Sequence, residues 1–284
     1  MTAPKYLVAT DVGGTCTDTI VFAAGEPIRL GKALSTPPNF ADGVLDSIRS
    51  AAVSMGLTLE ALLAQTSLFV HGSTVVDNAI LTRDGSRTGL ITTRGFEDTV
   101  LITRGAYGRW GGLPEDGIKH PVKTDRAAPL VAPDCIVGVP ERVDYKGSIL
   151  LELDEPAAEA ALRLLVEQKK VDAIAVSFLW SFYNPANEQK VRDILRRIAP
   201  GVYCSLSSEI APTPGEYERT STTVINAYAG RIAKAYINSL EALLKRTGYG
   251  GPVLVMQGYG GLLPAAEAAE RSIGCLLYTS DAAD

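Results

Sequence analysis

An apolar run from Tyr6 ends on the carboxylate of Asp11, Gly13 and Gly14 turn the backbone, hydroxyl residues follow, and a second apolar run leaves through Ile20, Val21 and Phe22. That order predicts a β-hairpin with a polar tip. Ile28 to Leu34 reads as a third strand closing a meander, and Ser35-Thr36-Pro37-Pro38-Asn39 breaks it. Val44, Leu45, Ile48, Ala52 and Met55 recur at helical spacing, which predicts an amphipathic helix over Asp42 to Met55, with a second helix from Thr58 to Ala64. Ser67 to Thr74 is a strand running into a Gly-hydroxyl turn, Val75 to Leu81 a helix, and Arg87 to Thr93 another strand. Arg94 to Asp98 turns into Thr99 to Ile102. Arg83, Arg94 and Arg104 border these turns, where salt bridging or anion contact is open to them.

Regular spacing then lapses. Gly105 to Ala132, rich in Gly, Pro and charge and carrying Tyr107, Trp110 and His120, reads as a long loop of the kind used for lids or contacts. Short strands resume over Ile136 to Leu153, with a hairpin turn at Tyr145-Lys146-Gly147. The rhythm then becomes helix and strand in alternation. Ala158, Ala161, Leu162, Leu165 and Val166 mark a helical face, Val171 to Phe178 is a nearly continuous apolar strand, Asn184-Pro185 starts a helix to Arg197, and Val202 to Ser207 is the next strand. This is a βαβ signature. Gly215 opens the longest helix, whose apolar stripe runs through Val224, Tyr228, Ile232, Ala235 and Leu243. Its first turns carry Glu216, Glu218 and Arg219, and pattern alone favours a solvated helix end. Val253 to Gln257 is a strand, Gly258-Tyr259-Gly260-Gly261 a flexible turn, and Pro264 to Arg271 a last helix.

Composition narrows the class. The 284 residues are 46% hydrophobic, ample for one large or two ordinary cores, and the formal charge of -5 without a dense Lys/Arg run argues against nucleic acid or an anionic membrane as partner. Cys16, Cys135, Cys204 and Cys275 are widely spread without a CxxC pair, which fits free thiols in a reducing compartment. No signal-peptide pattern or membrane-length apolar run is seen, so a cytoplasmic location is expected.

The hairpin tip is the main candidate for chemistry. Gly13 and Gly14 lack a Cβ, so successive N–H groups can approach an anion, and Thr15 and Thr17 add hydroxyl donors. Asp11 would repel a phosphate unless a Mg²⁺ stood between them. A plain Gly-Gly turn is the alternative. It is neither a Walker A loop nor a dinucleotide fingerprint. Ser73 and Thr74 cap a helix start and form a second possible anion contact, while His71, at a strand end beside that turn, is either a structural hydrogen-bonded residue or a catalyst.

The Asp11 to Asp18 string resembles the first phosphate loop of the actin-like ATPases. Together with His71-Gly-Ser-Thr-Val-Val-Asp-Asn-Ala79, Thr92-Thr-Arg-Gly-Phe-Glu-Asp98 and Gly215-Glu-Tyr-Glu-Arg-Thr-Ser-Thr-Thr-Val-Ile-Asn-Ala-Tyr228, it is most similar to the hydantoinase/oxoprolinase family. Met256 to Gly261 is a fifth, weaker match. The resemblance implies an α/β protein: an actin-like, ribonuclease H-like ATPase start with an inserted α/β region, incomplete at its C-terminus. It implies a family N-terminal region over residues 1–200, the beginning of an ATPase region over 201–274, and a tail over 275–284 that looks like translated sequencing adapter. It further implies ATP and Mg²⁺ as cofactors, a cyclic amide or ketone as substrate, and a hydantoinase B-type partner subunit. Asp11 would organise the metal, Gly13, Gly14 and Thr15 would hold phosphates, and Asp18 would order the loop or a water. His71, Ser73 and Thr74 would sit near the transferred group. Cys16 stands where relatives commonly carry phenylalanine. A sugar kinase and a non-catalytic nucleotide-binding subunit are the rival readings.

Overall fold

The computed structural model describes residues 5–103, 116 and 128–275. Arg104, most of the loop expected from Gly105 to Ala132, and the segment after Cys275 lie outside the described residues. The chain opens with strands β1 (Tyr6–Val12), β2 (Cys16–Phe22) and β3 (Arg29–Leu34), then helices α1 (Phe40–Ser54) and α2 (Leu59–Ala64), strand β4 (Thr66–Ser73) and helix α3 (Val75–Leu81). There follow β5 (Thr88–Thr93), the single turn α4 (Thr99–Ile102), β6 (Ile136–Val139), β7 (Arg142–Val143), β8 (Ile149–Leu151) and α5 (Glu155–Arg163). Then come β9 (Ala173–Ser177), α6 (Ala186–Ile198), β10 (Tyr203–Leu206), α7 (Ser207–Ile210), the long helix α8 (Glu216–Arg246), β11 (Val253–Met256), β12 (Leu262–Pro264) and α9 (Ala265–Glu270).

The chain divides into two compact units by insertion. One joins residues 1–85 to 229–284, and the other is residues 86–228. The expected boundary near residue 200 divides the chain linearly and so cuts through the inserted unit. The break at 228/229 falls inside α8, which continues unbroken through the nearby Gly230.

In the first unit a six-stranded sheet runs β12-β11-β4-β1-β2-β3. The three opening strands form the expected antiparallel meander, and β1, β4 and β11 are parallel neighbours. Alternation decides which face of β1 is covered: Tyr6, Val8, Thr10 and Val12 are buried while Leu7 and Asp11 are exposed. Helix α1 lays Val44, Ile48 and Ala51 into the core. It approaches β3 so closely that a Cβ on Gly31 would lie 2.1 Å from the Ser47 carbonyl oxygen, so this strand position needs glycine. Each fully buried aliphatic side chain there contributes about 1.5–3 kcal/mol. The expected loose turn at Gly258 to Gly261 instead closes a hairpin, because β12 pairs antiparallel with β11. Gly260 and Gly261 make this possible, at φ +94° and +91°.

In the second unit β10-β9-β5-β6 form a wholly parallel sheet. Every residue of β5 and β9 is buried, as the continuous apolar run around Val171 to Phe178 predicts. Leu162, Leu165 and Leu195 cover it. The α8 stripe differs from expectation. Within the first unit its covered face is Ala233, Ile237, Leu240 and Leu244, whereas Ala235 is exposed, so the buried stripe is rotated about one residue from the expected one. Among the described residues, no helix is long and apolar enough to cross a membrane.

Candidate functional site

The β1–β2 turn is closed by the Gly13 N–H, which donates to the Cys16 carbonyl at 3.0 Å. Among the described residues, the N–H groups of Gly14 and Thr15 have no protein acceptor, and both residues are exposed. Bare backbone donors on a glycine turn are what an anion site requires.

Beneath the tip, Asp11 and Asp18 sit opposite each other across the antiparallel pair, both on the exposed face. Asp18 is neutralised by Lys32, whose Nζ lies 2.9 Å from Oδ1. Asp11 has no such partner among the described residues, and partial burial and then the charge of Asp18 hold its carboxyl above the usual range. Gly72 lies opposite Asp11 on β4, and a Cβ there would come within 3.0 Å of Asp11 Oδ1. A glycine at this position leaves the carboxylate room. No cluster of three acidic, His or Cys ligands gathers among the described residues. Asp11, with Asp18 across from it, fits a Mg²⁺ of the kind held by one or two carboxylates plus phosphate and water, since a cation would offset the burial and then the Asp18 charge that raise its carboxyl.

The end of β4 reaches the same tip. The Thr74 N–H and hydroxyl both donate to the Val12 carbonyl at 3.0 Å, and Ser73 Oγ accepts from the Val75 N–H at 3.2 Å. Thr74 therefore ties β4 to the turn as the N-cap residue of α3, which has no side-chain cap hydrogen bond, and Ser73 holds the Val75 N–H from one residue further out. Asn78 on α3 donates to Thr74 Oγ1 at 3.5 Å, and its amide would lie 3.8 Å from a Cβ on Gly14.

Two expected site residues turn inward. Thr17 is fully buried, since the strand's alternation points it away from Asp18, and its hydroxyl lies 3.2 Å from that of Ser35. Ser35 in turn donates to the Gly13 carbonyl at 2.7 Å, so Thr17 props the turn rather than offering a donor outward. His71 is also fully buried. Its Nδ1 is 2.8 Å from the Thr10 hydroxyl and its Nε2 is 2.8 Å from that of Tyr236. Burial pulls its pKa down to about 3, so the ring is neutral, donating through one nitrogen and accepting through the other. Burial likewise lifts the Tyr236 hydroxyl well above the usual phenol range. His71 thus fastens β1 and β4 to α8 residues of the same unit.

Ser35, Gly72, Asn78 and Tyr236 escape the sequence reading as site residues. Gly72 and Asn78, inside the His71 to Ala79 motif, carried a local signal.

Comparison with known proteins places the chain in a family. Residues 7–199 match the hydantoinase/oxoprolinase N-terminal region, and residues 219–277 match the hydantoinase/oxoprolinase family profile. The acetophenone carboxylase gamma subunit of Aromatoleum aromaticum is 36% identical over 88% of this chain and 35% of its own length. The caprolactamase alpha subunit of Pseudomonas jessenii is 33% identical over 97% of this chain and 38% of its own length. A nucleotide-free acetone carboxylase structure superposes with TM-score 0.85 at 29% identity, over 95% of this chain and 39% of that one. The ATP-dependent caprolactamase structure from Pseudomonas jessenii gives 0.78 at 33%, over 95% and 38%. This chain therefore spans little more than a third of each of these relatives, and it belongs to the hydantoinase/oxoprolinase family.

Proposed function

We propose that the β1–β2 tip grips the phosphates of ATP through Mg²⁺, and that the first unit begins an actin-like nucleotide-binding fold. Asp11 holds the metal, Asp18 with Lys32 orders the loop and its water, and the amides of Gly14 and Thr15 face the phosphate oxygens, while Gly13, whose N–H is taken by the Cys16 carbonyl, closes the turn that presents them. Ser73 and Thr74 border the same end, and His71 and Thr17 position it from within. The observation that carries this reading is the unpartnered Asp11 carboxylate beside the bare N–H groups of Gly14 and Thr15. Bound Mg²⁺ would supply charge neutralisation, and the rest of phosphoryl transfer is positioning.

The activity we infer for the longer protein is ATP-dependent opening of a cyclic amide. The γ-phosphoryl group passes to the amide oxygen and ADP leaves. Water then adds at the activated carbon, the ring C–N bond breaks to free the amine and leave an acyl phosphate, and a second water hydrolyses that to the carboxylate and phosphate. The caprolactamase relative supports this choice. Ketone carboxylation is the second reading, favoured by the acetophenone carboxylase relative. Relatives named as alpha, beta and gamma subunits support a partner subunit, for which a hydantoinase B-type chain is the choice.

The test is phosphate release by the longer protein with its partner, against a panel of lactams and of ketones with bicarbonate. Stimulation by a lactam supports the first reading and stimulation by a ketone the second. No stimulation by either, with nucleotide binding intact, would leave a non-catalytic nucleotide-binding subunit.

A further inference from the structure

Two of the sequence motifs, Thr92 to Asp98 and Gly215 to Tyr228, have no part in the hairpin site. Within the second unit they meet at a cleft of about 540 Å³, large enough for a small organic molecule. Its position follows from the sheet. The chain leaving β5 goes to β6 on one side, and the chain leaving β9 goes to β10 on the other. Connections part between these adjacent parallel strands, and a crevice opens beyond their carboxyl ends, where open α/β sheets take ligands. Phe96 and Thr99 line the cleft from the β5 side, and Leu179, Trp180 and Phe182 from the β9 side.

Arg219, from the first turn of α8, forms part of the wall and is only 2% exposed. Its Nη2 donates to the Phe178 carbonyl at 2.9 Å and its Nη1 to the Thr213 carbonyl at 3.2 Å, both neutral acceptors. Its Nε is buried with no hydrogen-bond partner, and Glu188 and Glu216 act on its charge without forming an ion-pair contact with it among the described residues. A buried guanidinium with a donor left unbonded is costly unless an acceptor completes it. A second guanidinium, that of Arg142, also lines the cleft. Each is backed by a ring: Arg219 lies 5.1 Å from the Phe182 centroid and Arg142 5.6 Å from that of Phe96. Among the described lining residues two guanidiniums stand against one carboxylate, Glu216, an excess of one positive charge. That matches a monoanion better than a phosphate dianion. Trp180 is held at φ +60°, a conformation a bulky residue rarely adopts and one that tends to occur at ligand sites.

We propose that this cleft binds a small organic carboxylate with a planar apolar body, the carboxylate toward Arg142 and Arg219 and the body against Trp180, Phe182 and Phe96. The site is independent of the nucleotide reading and is tested without ATP. Benzoate, its neutral isostere benzamide, and inorganic phosphate are titrated into the full chain by calorimetry and by saturation-transfer NMR.

Saturable benzoate binding is expected, with benzamide at least tenfold weaker. Arg219 bridges two segments, so its removal could unfold the unit. The test therefore uses Arg142→Gln, on a half-buried residue, and Trp180→Gly, which suits the positive φ while removing the wall. Both should weaken benzoate at least tenfold and leave the melting temperature in place. Equal binding of benzamide, binding of phosphate alone, no saturable benzoate binding, or benzoate binding untouched by both substitutions would each overturn the proposal.

Discussion

The hairpin tip of the first unit and the strand ends of the second unit handle charge in opposite ways. At the tip, Asp11 and Asp18 stand on an exposed face, and backbone amides are left without acceptors. At the ends of β9 and β10, Glu188 is fully buried and saturated. It accepts from the Phe178 and Ser208 N–H groups at 2.9 Å, from the Ser207 hydroxyl at 2.6 Å and from the Ser208 hydroxyl at 2.7 Å. Glu141 nearby accepts from Asn187 Nδ2 at 3.0 Å and from the Thr93 hydroxyl, and burial holds its carboxyl above the usual range. A carboxylate with every acceptor site filled is architecture, because removing it strands several donors at once. One with vacant acceptor sites beside vacant donors is available for chemistry.

That contrast has measurable consequences. Asp11→Asn in the longer protein should lower ATP turnover by about a thousandfold or more, the scale of losing a main charge-stabilising group, while leaving the melting temperature nearly unchanged. Glu188→Ala should do the reverse in kind, destabilising the second unit by about 3–5 kcal/mol in denaturant titrations, because buried donors lose their anion. Should Asp11→Asn destabilise as strongly as Glu188→Ala, the distinction between the two carboxylates fails.

His71 gives a smaller effect with a definite sign. Its folded pKa, about 3, lies below the unfolded value, so the unfolded chain binds the extra proton and stability falls as pH drops below about 6.5. Between pH 7 and pH 5.5 that loss is about 1 kcal/mol, and His71→Gln should remove it, as chemical denaturation at both pH values would show. The smallest effect is expected from Lys32→Ala. An exposed pair with Asp18 contributes about 0–1 kcal/mol, so thermal melting should barely move, whereas the requirement for divalent cation should sharpen as the local negative charge grows.

Much of the framework was legible because burial writes itself into period. The meander, the helix over Phe40–Ser54 and the continuous strand Ala173–Ser177 all follow from apolar spacing. The βαβ rhythm was legible for the same reason, while the inserted α/β region came from the family resemblance. The insertion boundary was not legible, since α8 continues unbroken through 228/229. Nor were Glu188 and Arg219, because apolar periodicity has no way to report a charge buried against carbonyls, amides and hydroxyls. Arg219 reverses the expected solvated helix end for that reason, although Glu216 and Glu218 are exposed as expected. At the tip, the Asp-Gly-Gly string stood out, but Thr17 and Thr15 look alike in sequence. Thr17 lies on the buried face of β2 whereas Thr15 stands in the turn before that strand begins, and Ser35 enters the turn only through the pairing of β2 with β3.

The central claim is that Asp11 and the bare amides behind it hold a nucleotide's phosphates through a divalent cation. Calorimetric titration of ATP into the longer protein, with Mg²⁺ and with EDTA, for wild type and Asp11→Asn, tests it most directly. Binding that needs both Mg²⁺ and Asp11 is the predicted result. Binding of equal affinity in EDTA, or undiminished in Asp11→Asn, would contradict it.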